Sequence, residues 1–158
     1  YSTWLSYAYN KNDYTFDSIV PHKFPNNLDI RHTITFAGTY TYNNLKLSLG
    51  VNYRTGKPYT EPLENDEALN ITIFPAQINY KSPNSSRLPE YFRADASAIY
   101  SFDISRRIKA NAGISVLNMT NRKNSLNRYY RVNDENQIET VESVSLGITP
   151  NVSFRVSF

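Results

Sequence analysis

From Val144 to Phe158 every second residue is apolar: Val144, Leu146, Ile148, Pro150, Val152, Phe154, Val156 and Phe158. Between them stand Ser145, Gly147, Thr149, Asn151, Ser153, Arg155 and Ser157. A period of two sends successive side chains to opposite faces of an extended chain, so one strand with a greasy and a polar face is predicted here. Pro150 has no N–H for a ladder, which places a sheet edge, bulge or bend at that point. The alternation recurs upstream. Ile34, Phe36, Gly38, Tyr40 and Tyr42 share one face, as do Leu45, Leu47, Leu49, Val51 and Tyr53. So do Phe92, Ala94, Ala96, Ala98, Tyr100 and Phe102, and then Ile108, Ala110, Ala112, Ile114 and Val116. Leu5, Tyr7 and Tyr9 open the series less cleanly, with Trp4, Ile99 and Leu117 as apolar exceptions on the polar side. The pattern predicts about six long antiparallel strands and no helix.

The connections alternate too. Tyr42-Asn43-Asn44-Leu45 reads as a tight hairpin, since Asn tolerates positive φ, and Asp103 to Arg107 is a second short turn. Between them lie long polar segments, Asn10 to Arg31, Thr55 to Glu90 and Met119 to about Ser143, which carry most of the prolines. The last is predicted to hold a hairpin, Arg128 to Val132 against Gln137 to Val141. Short turns on one rim and long loops on the other describe an up-and-down sheet with two unlike ends.

Composition excludes several functions. With no Cys and only His22 and His32 among 158 residues, thiolate chemistry is absent and most imidazole chemistry is improbable. Seventeen Lys and Arg against fourteen Asp and Glu give a net charge of +3. These cations are dispersed rather than gathered into the patch a nucleic-acid binder needs. No run approaches the ~20 apolar residues of a transmembrane helix. The chain begins at Tyr1 without a basic or apolar leader, so any targeting segment is expected to lie outside it. No Gly-rich phosphate loop, activated nucleophile or metal-ligand spacing is present, so neither an enzyme nor a cofactor is expected.

A sheet that is greasy on one side either packs on a second sheet or faces lipid. Three features favour lipid. Strands in soluble domains cluster near ~5–6 residues, whereas a bilayer-crossing strand needs ~9–11. Aromatics gather at the two ends of the apolar face: Tyr40, Tyr42, Tyr100, Phe102, Phe154 and Phe158 at the short-turn rim, and Tyr7, Tyr9, Tyr53 and Phe92 at the other. Two aromatic girdles around an aliphatic belt suit two membrane interfaces. The third feature is a face of Ser, Thr, Asn and Gly along its full length, which suits a lumen, though also the wet side of a sandwich.

Four segments resemble a known family. They are Phe24-Pro25-Asn26-Asn27-Leu28-Asp29-Ile30-Arg31-His32, Tyr53-Arg54-Thr55-Gly56-Lys57-Pro58-Tyr59-Thr60, Arg87-Leu88-Pro89-Glu90-Tyr91-Phe92-Arg93-Ala94-Asp95 and Val116-Leu117-Asn118-Met119-Thr120-Asn121-Arg122-Lys123-Asn124. In this order, with the terminal Phe158, they resemble the C-terminal end of a TonB-dependent outer-membrane receptor of the Bacteroidetes type. The resemblance implies that residues 1–158 are the last strands and extracellular loops of a Gram-negative outer-membrane barrel of about 22 strands. The plug and the earlier strands would lie outside the chain. It further implies energy-driven uptake of a large, scarce ligand such as a ferric siderophore, cobalamin or an oligosaccharide. The implied partners are the plug and the rest of the barrel, TonB through the plug region, outer-membrane lipid and the barrel-assembly machinery, with a surface lipoprotein as a further candidate. Phe154, Val156 and Phe158 would then form the assembly signal. A plug-less outer-membrane channel and a soluble β-sandwich adhesion or carbohydrate-binding module remain the alternatives.

The candidate ligand-binding residues are Arg54, Tyr59, Arg93, Asp95, Tyr129 and Tyr130. Arg54, Arg93 and Asp95 fall on the polar face near the loop rim, where they form either an anion-reading cluster or a lumen salt-bridge network. Tyr59, Tyr129 and Tyr130, with Phe74 and Tyr80, are loop aromatics able to stack on a ligand. His32 reads as a rim residue bonded to nearby backbone. Glu64, Asp66 and Glu67 form an acidic loop cluster for which solvated charge is the expectation.

Overall fold

The computed structural model describes residues 1–72 and 74–158 and is all-β apart from one 3-10 turn at Asn65–Glu67. The chain opens with β1 (Ser2–Tyr9), and the first loop pairs β2 (Asp13–Thr15) with β3 (Lys23–Pro25). β4 (His32–Tyr42) and β5 (Leu45–Arg54) form a long hairpin. The second loop carries β6 (Pro58–Tyr59), β7 (Leu69–Asn70), β8 (Gln77–Ile78) and β9 (Ser86–Arg87). β10 (Tyr91–Asp103) and β11 (Lys109–Leu117) make a second long hairpin. The third loop is the hairpin of β12 (Ser125–Val132) and β13 (Ile138–Val144), and β14 (Thr149–Ser157) follows.

Six of these strands form one antiparallel sheet in the order β1-β4-β5-β10-β11-β14. The sheet does not close, and β1 and β14 are its two open edges. Pro150 lies on edge strand β14 opposite Val116, where its missing N–H leaves no ladder partner wanting. Asn43 turns the β4–β5 hairpin at φ 51°. All six non-glycine residues with positive φ among the described residues are Asn, whose short amide makes the left-handed region accessible.

The predicted strand from Val144 to Phe158 is two pieces: β13 ends at Val144, β14 begins at Thr149, and residues 145–148 lie outside any strand. Their backbone is engaged elsewhere, the Ser145 N–H by the Asn124 carbonyl and the Ile148 N–H by Asn121 Oδ1. The predicted loop hairpin is present and longer than expected, with Val132 opposite Ile138 and Arg128 opposite Glu142.

Register aligns the alternation of neighbouring strands, so that apolar residues collect on one face. One apolar row runs Tyr7–Ile34–Tyr53–Phe92, and another runs Tyr42–Leu45–Tyr100–Ala112–Phe154. Between these aromatic rows lie Leu5–Phe36–Val51–Ala94, then Gly38–Leu49–Ala96–Val116–Pro150, then Tyr40–Leu47–Ala98–Ile114–Val152. On the other face Thr39–Ser48–Ser97–Ser115–Asn151 make a row of small polar groups. Of the apolar exceptions there, Trp4 lies opposite Ala37, Ile99 between Gly113 and Lys46, and Leu117 opposite Thr149.

Among the described residues no second layer covers the apolar face. Leu5 is 68% exposed, Phe154 64% and Val152 78%, and among the described residues only Phe24, Tyr59, Leu88, Ala94 and Ala110 are buried hydrophobics. A compact monomer of 18.2 kDa exposes about 8,100 Å²; this chain exposes 11335 Å². The excess, roughly 3,000 Å², is what an open single-layer sheet and its extended loops leave uncovered.

Candidate functional site

Both short turns lie at one rim of the sheet, so all three long loops rise from the other. Polar bonds between loops, rather than a greasy core, hold that rim together. Its centre is Asp29, 0% exposed although no strand contains it. Asp29 Oδ1 accepts the Asn12 N–H at 2.8 Å, and Oδ2 accepts Arg31 Nε at 2.8 Å and a second guanidinium from Arg87. Burial alone pushes the Asp29 carboxyl up, but the backbone N–H and the two cations overcome it and hold it at about 2. The Arg87 fork also donates to the Asp29 carbonyl at 2.6 Å and the Gly56 carbonyl at 3.1 Å, tying the first loop to both ends of the second. Gly56 can only be glycine: a Cβ there would sit 1.6 Å from the Leu88 carbonyl oxygen. Asn84 adds a further tie, its Nδ2 donating to the Pro25 carbonyl at 2.8 Å and to Asn27 Oδ1 at 2.7 Å.

The third loop docks through Arg128. Its guanidinium lies 5.2 Å from the Tyr59 ring centroid, donates to Tyr59 Oη at 2.9 Å and pairs with Glu142 at 3.0 Å. Tyr59 in turn donates to Glu61 Oε1 at 2.5 Å. Burial and the Glu61 carboxylate push the phenol up to about 12, so it stays a donor. Lys81 bridges Glu61 at 3.5 Å and Glu64 at 2.7 Å, closing the second loop on itself.

Asparagines finish the top of the sheet. β10 outlasts β11 at this end, because the first pair between them is Ala96 with Val116. The vacant ladder positions are filled by the segment that follows. The Met119 N–H bonds the Ala94 carbonyl at 2.8 Å. The Asn124 amide then accepts from the Phe92 N–H and donates to the Phe92 carbonyl, both at 2.9 Å, as a neighbouring strand would. Asn118, at φ 52°, gives its N–H to Asp95 and its amide protons to the carbonyls of Arg122 and Leu146.

Of the six candidate ligand residues, the structure commits several to internal bonds. Tyr59 is buried in the Glu61–Arg128 cluster and presents no free ring to a ligand. Arg93 and Asp95 bond each other at 2.7 Å, and Asp95 also holds Asn118, so this pair anchors the cap. Arg54 stands apart from them, its guanidinium 4.4 Å above the Tyr91 ring centroid. Tyr130 packs edge-on to Tyr80 with centroids 6.5 Å apart, while Tyr129 on the other face of the hairpin is half exposed, as is Tyr80 in part. Phe74 is fully exposed. Phe154 and Val156 lie on β14, with the Phe154 ring 6.5 Å from that of Phe102; Phe158 follows the strand and is exposed.

The His32 carbonyl accepts the Thr55 N–H at 3.0 Å, while its imidazole meets side chains, Nδ1 3.0 Å from Tyr7 Oη and the ring against Tyr9. His22 Nδ1 lies 3.3 Å from the Phe16 carbonyl. In the acidic cluster Glu64 is taken by Lys81, and among the described residues no group of three or more acidic or His side chains is arranged for a metal. Sequence reasoning missed Asp29, Arg87, Asn84, Asn118 and Asn124 as structural centres. The available signal was an acid set between Leu28 and Ile30 with Arg two residues on, and Asn recurring at 118, 121 and 124. No protein-family model, curated protein or solved structure matches the chain.

Proposed function

We propose that this chain is the strand-and-loop portion of a larger outer-membrane receptor of the TonB-dependent type, which captures a large, scarce ligand at its loop rim and passes it through a plugged lumen. One observation carries the reading: an uncovered apolar face whose aromatics concentrate in the two outer rows, with Phe36 and Tyr40 in the rows between and none in the central row, on a sheet with two open edges. From Phe92 to Phe102 is roughly 33 Å along a strand, or ~25 Å in height at a tilt of ~40°, the height of the apolar band on such barrels. Open edges in lipid would leave backbone groups unpaired at several kcal/mol each, so further strands must flank β1 and β14. In this reading the polar row Thr39–Ser48–Ser97–Ser115 faces plug or water. Ferric siderophores, cobalamin and oligosaccharides are the ligand classes of such receptors. TonB acts through the plug, and β14 with Phe158 is what the assembly machinery engages.

A sandwich would need a second layer on the apolar face, where Leu5, Val152 and Phe154 stand bare. A plug-less channel shares the lipid face, and energy dependence separates it. Cells producing the full-length protein should bind ligand at the surface with or without a proton-motive force, and should import it only when energised and when TonB is present. Import that persists in de-energised cells would replace this reading with the channel.

A further inference from the structure

We infer that a cleft at the base of the loop rim is a subsite for a small anionic group, carboxylate or phosphate, carried on a compact apolar body. The inference deepens the receptor reading by naming ligand chemistry, and rests on that reading for the side from which the ligand arrives. The cleft, about 240 Å³, has an apolar lining from Leu28, Ile30, Leu88, Pro89 and Leu126, with Arg54 and Lys57 at its wall.

The charge pattern sets this cleft apart. In the loops, Arg31, Lys81, Arg87, Arg122, Arg128 and Arg131 each lie against a carboxylate. Arg54, Lys57, Lys11 and Lys123 do not, among the described residues, and of these four Arg54 and Lys57 line the cleft: Arg54 rests on the Tyr91 ring and Lys57 reaches only the neutral amide of Asn127, at 3.3 Å. Two half-buried cations lining one cleft, neither against a carboxylate, gain from an anion bound beside them.

The walls are also built to hold their shape. Leu28 and Ile30 flank the buried Asp29, Leu88 follows Arg87, and Lys57 follows the Gly56 carbonyl that Arg87 grips. One buried ion pair thus fixes three wall segments, the preorganisation a small ligand needs. The three leucines, Ile30 and Pro89 offer an apolar wall to a ring or short hydrocarbon body, while Thr55, Tyr91 and Ser125 add hydroxyls beside the cations.

The test uses full-length protein purified in detergent, with benzoate, phenyl phosphate and benzyl alcohol as probes in saturation-transfer NMR titrations. Saturable binding of benzoate or phenyl phosphate is expected, the preferred one identifying the anion, with none for benzyl alcohol. Arg54→Gln with Lys57→Gln should weaken anion binding by about tenfold or more. Leu126→Trp, which fills the cleft and keeps both cations, should abolish it. Failure of both anions to bind, or binding indifferent to both variants, overturns the subsite. A protein that imports ligand in energised cells yet binds neither probe loses the subsite alone. A protein that binds them while its apolar face proves to be covered by protein loses the receptor reading alone.

Discussion

Ala96→Arg is the sharpest perturbation of the proposed lipid face. Ala96 lies in the central row with Gly38, Leu49, Val116 and Pro150, four residues from Phe92 and four from Tyr100 along β10. At ~3.4 Å per residue and a tilt of ~40°, each aromatic row is roughly 10 Å away in height. That is too far for a guanidinium to reach either interface comfortably by snorkelling. The cost expected at mid-bilayer is ~2–4 kcal/mol, a factor of about 30 to 900 in the folding equilibrium. Ala112→Arg, in the aromatic row with Tyr100 and Phe154, should cost ~0–1 kcal/mol. Ser97→Arg, one residue from Ala96 but on the polar face beside Ser48 and Ser115, should also cost below about 1 kcal/mol. Guanidinium titrations of the full-length protein in phospholipid vesicles, followed by circular dichroism, measure all three. Equal penalties at Ala96 and Ser97, or an Ala112 penalty as large as that at Ala96, would refute the assignment of faces and depth.

At the loop rim, Gly56→Ala drives a Cβ into the Leu88 carbonyl and should cost ~1–3 kcal/mol, read as faster hydrogen exchange at the Lys57–Leu88 contact with β4 and β5 unchanged; unaltered exchange there would contradict the close approach. Asn124→Ala leaves both Phe92 backbone groups without their partner and should open the top of β10 by about 2–3 kcal/mol, seen in exchange of the Phe92 amide. Asp29 is held at about 2 in the folded rim against an ordinary 3.8, so its stabilisation is complete above pH ~4 and disappears as pH falls through about 2. Limited proteolysis of the first loop should therefore be constant from neutral pH down to ~4 and accelerate below it. Asp29→Asn should be cut faster at neutral pH with that loop's acid response reduced, while the second and third loops keep the response of Glu61 and Glu142, whose carboxyls are also held low by their partners.

The strands were legible because both of their faces carry information. β4, β5, β10 and β11 fall within a residue or so of the alternating runs, and the short and long connections follow. The break at residues 145–148 was not legible, since Leu146 and Ile148 keep the alternation while Asn118 and Asn121 take their backbone. Periodicity reports which way a side chain points, not which group its amide meets. The rim was hidden for a related reason. Arg87 reaches Asp29 across 58 residues and Arg128 reaches Tyr59 across 69, in segments with no period to read. Tyr59 therefore looked available for stacking, although its hydroxyl and ring are both spoken for. Even so, the four quoted motif segments are neighbours in space, through Asp29, Gly56 and Arg87 on one side and Phe92, Asp95, Asn118 and Asn124 on the other.

The most direct measurement is a cysteine scan along β10 in a chain that has no native cysteine, each site carrying a nitroxide in the full-length protein in vesicles. Relaxation by oxygen, which concentrates in lipid, should peak at positions 94, 96 and 98, and relaxation by a water-soluble nickel chelate should peak at 97 and 99. The two profiles should run in antiphase with a period of two. Low oxygen accessibility at 94, 96 and 98, as protein packed against that face would give, contradicts the account.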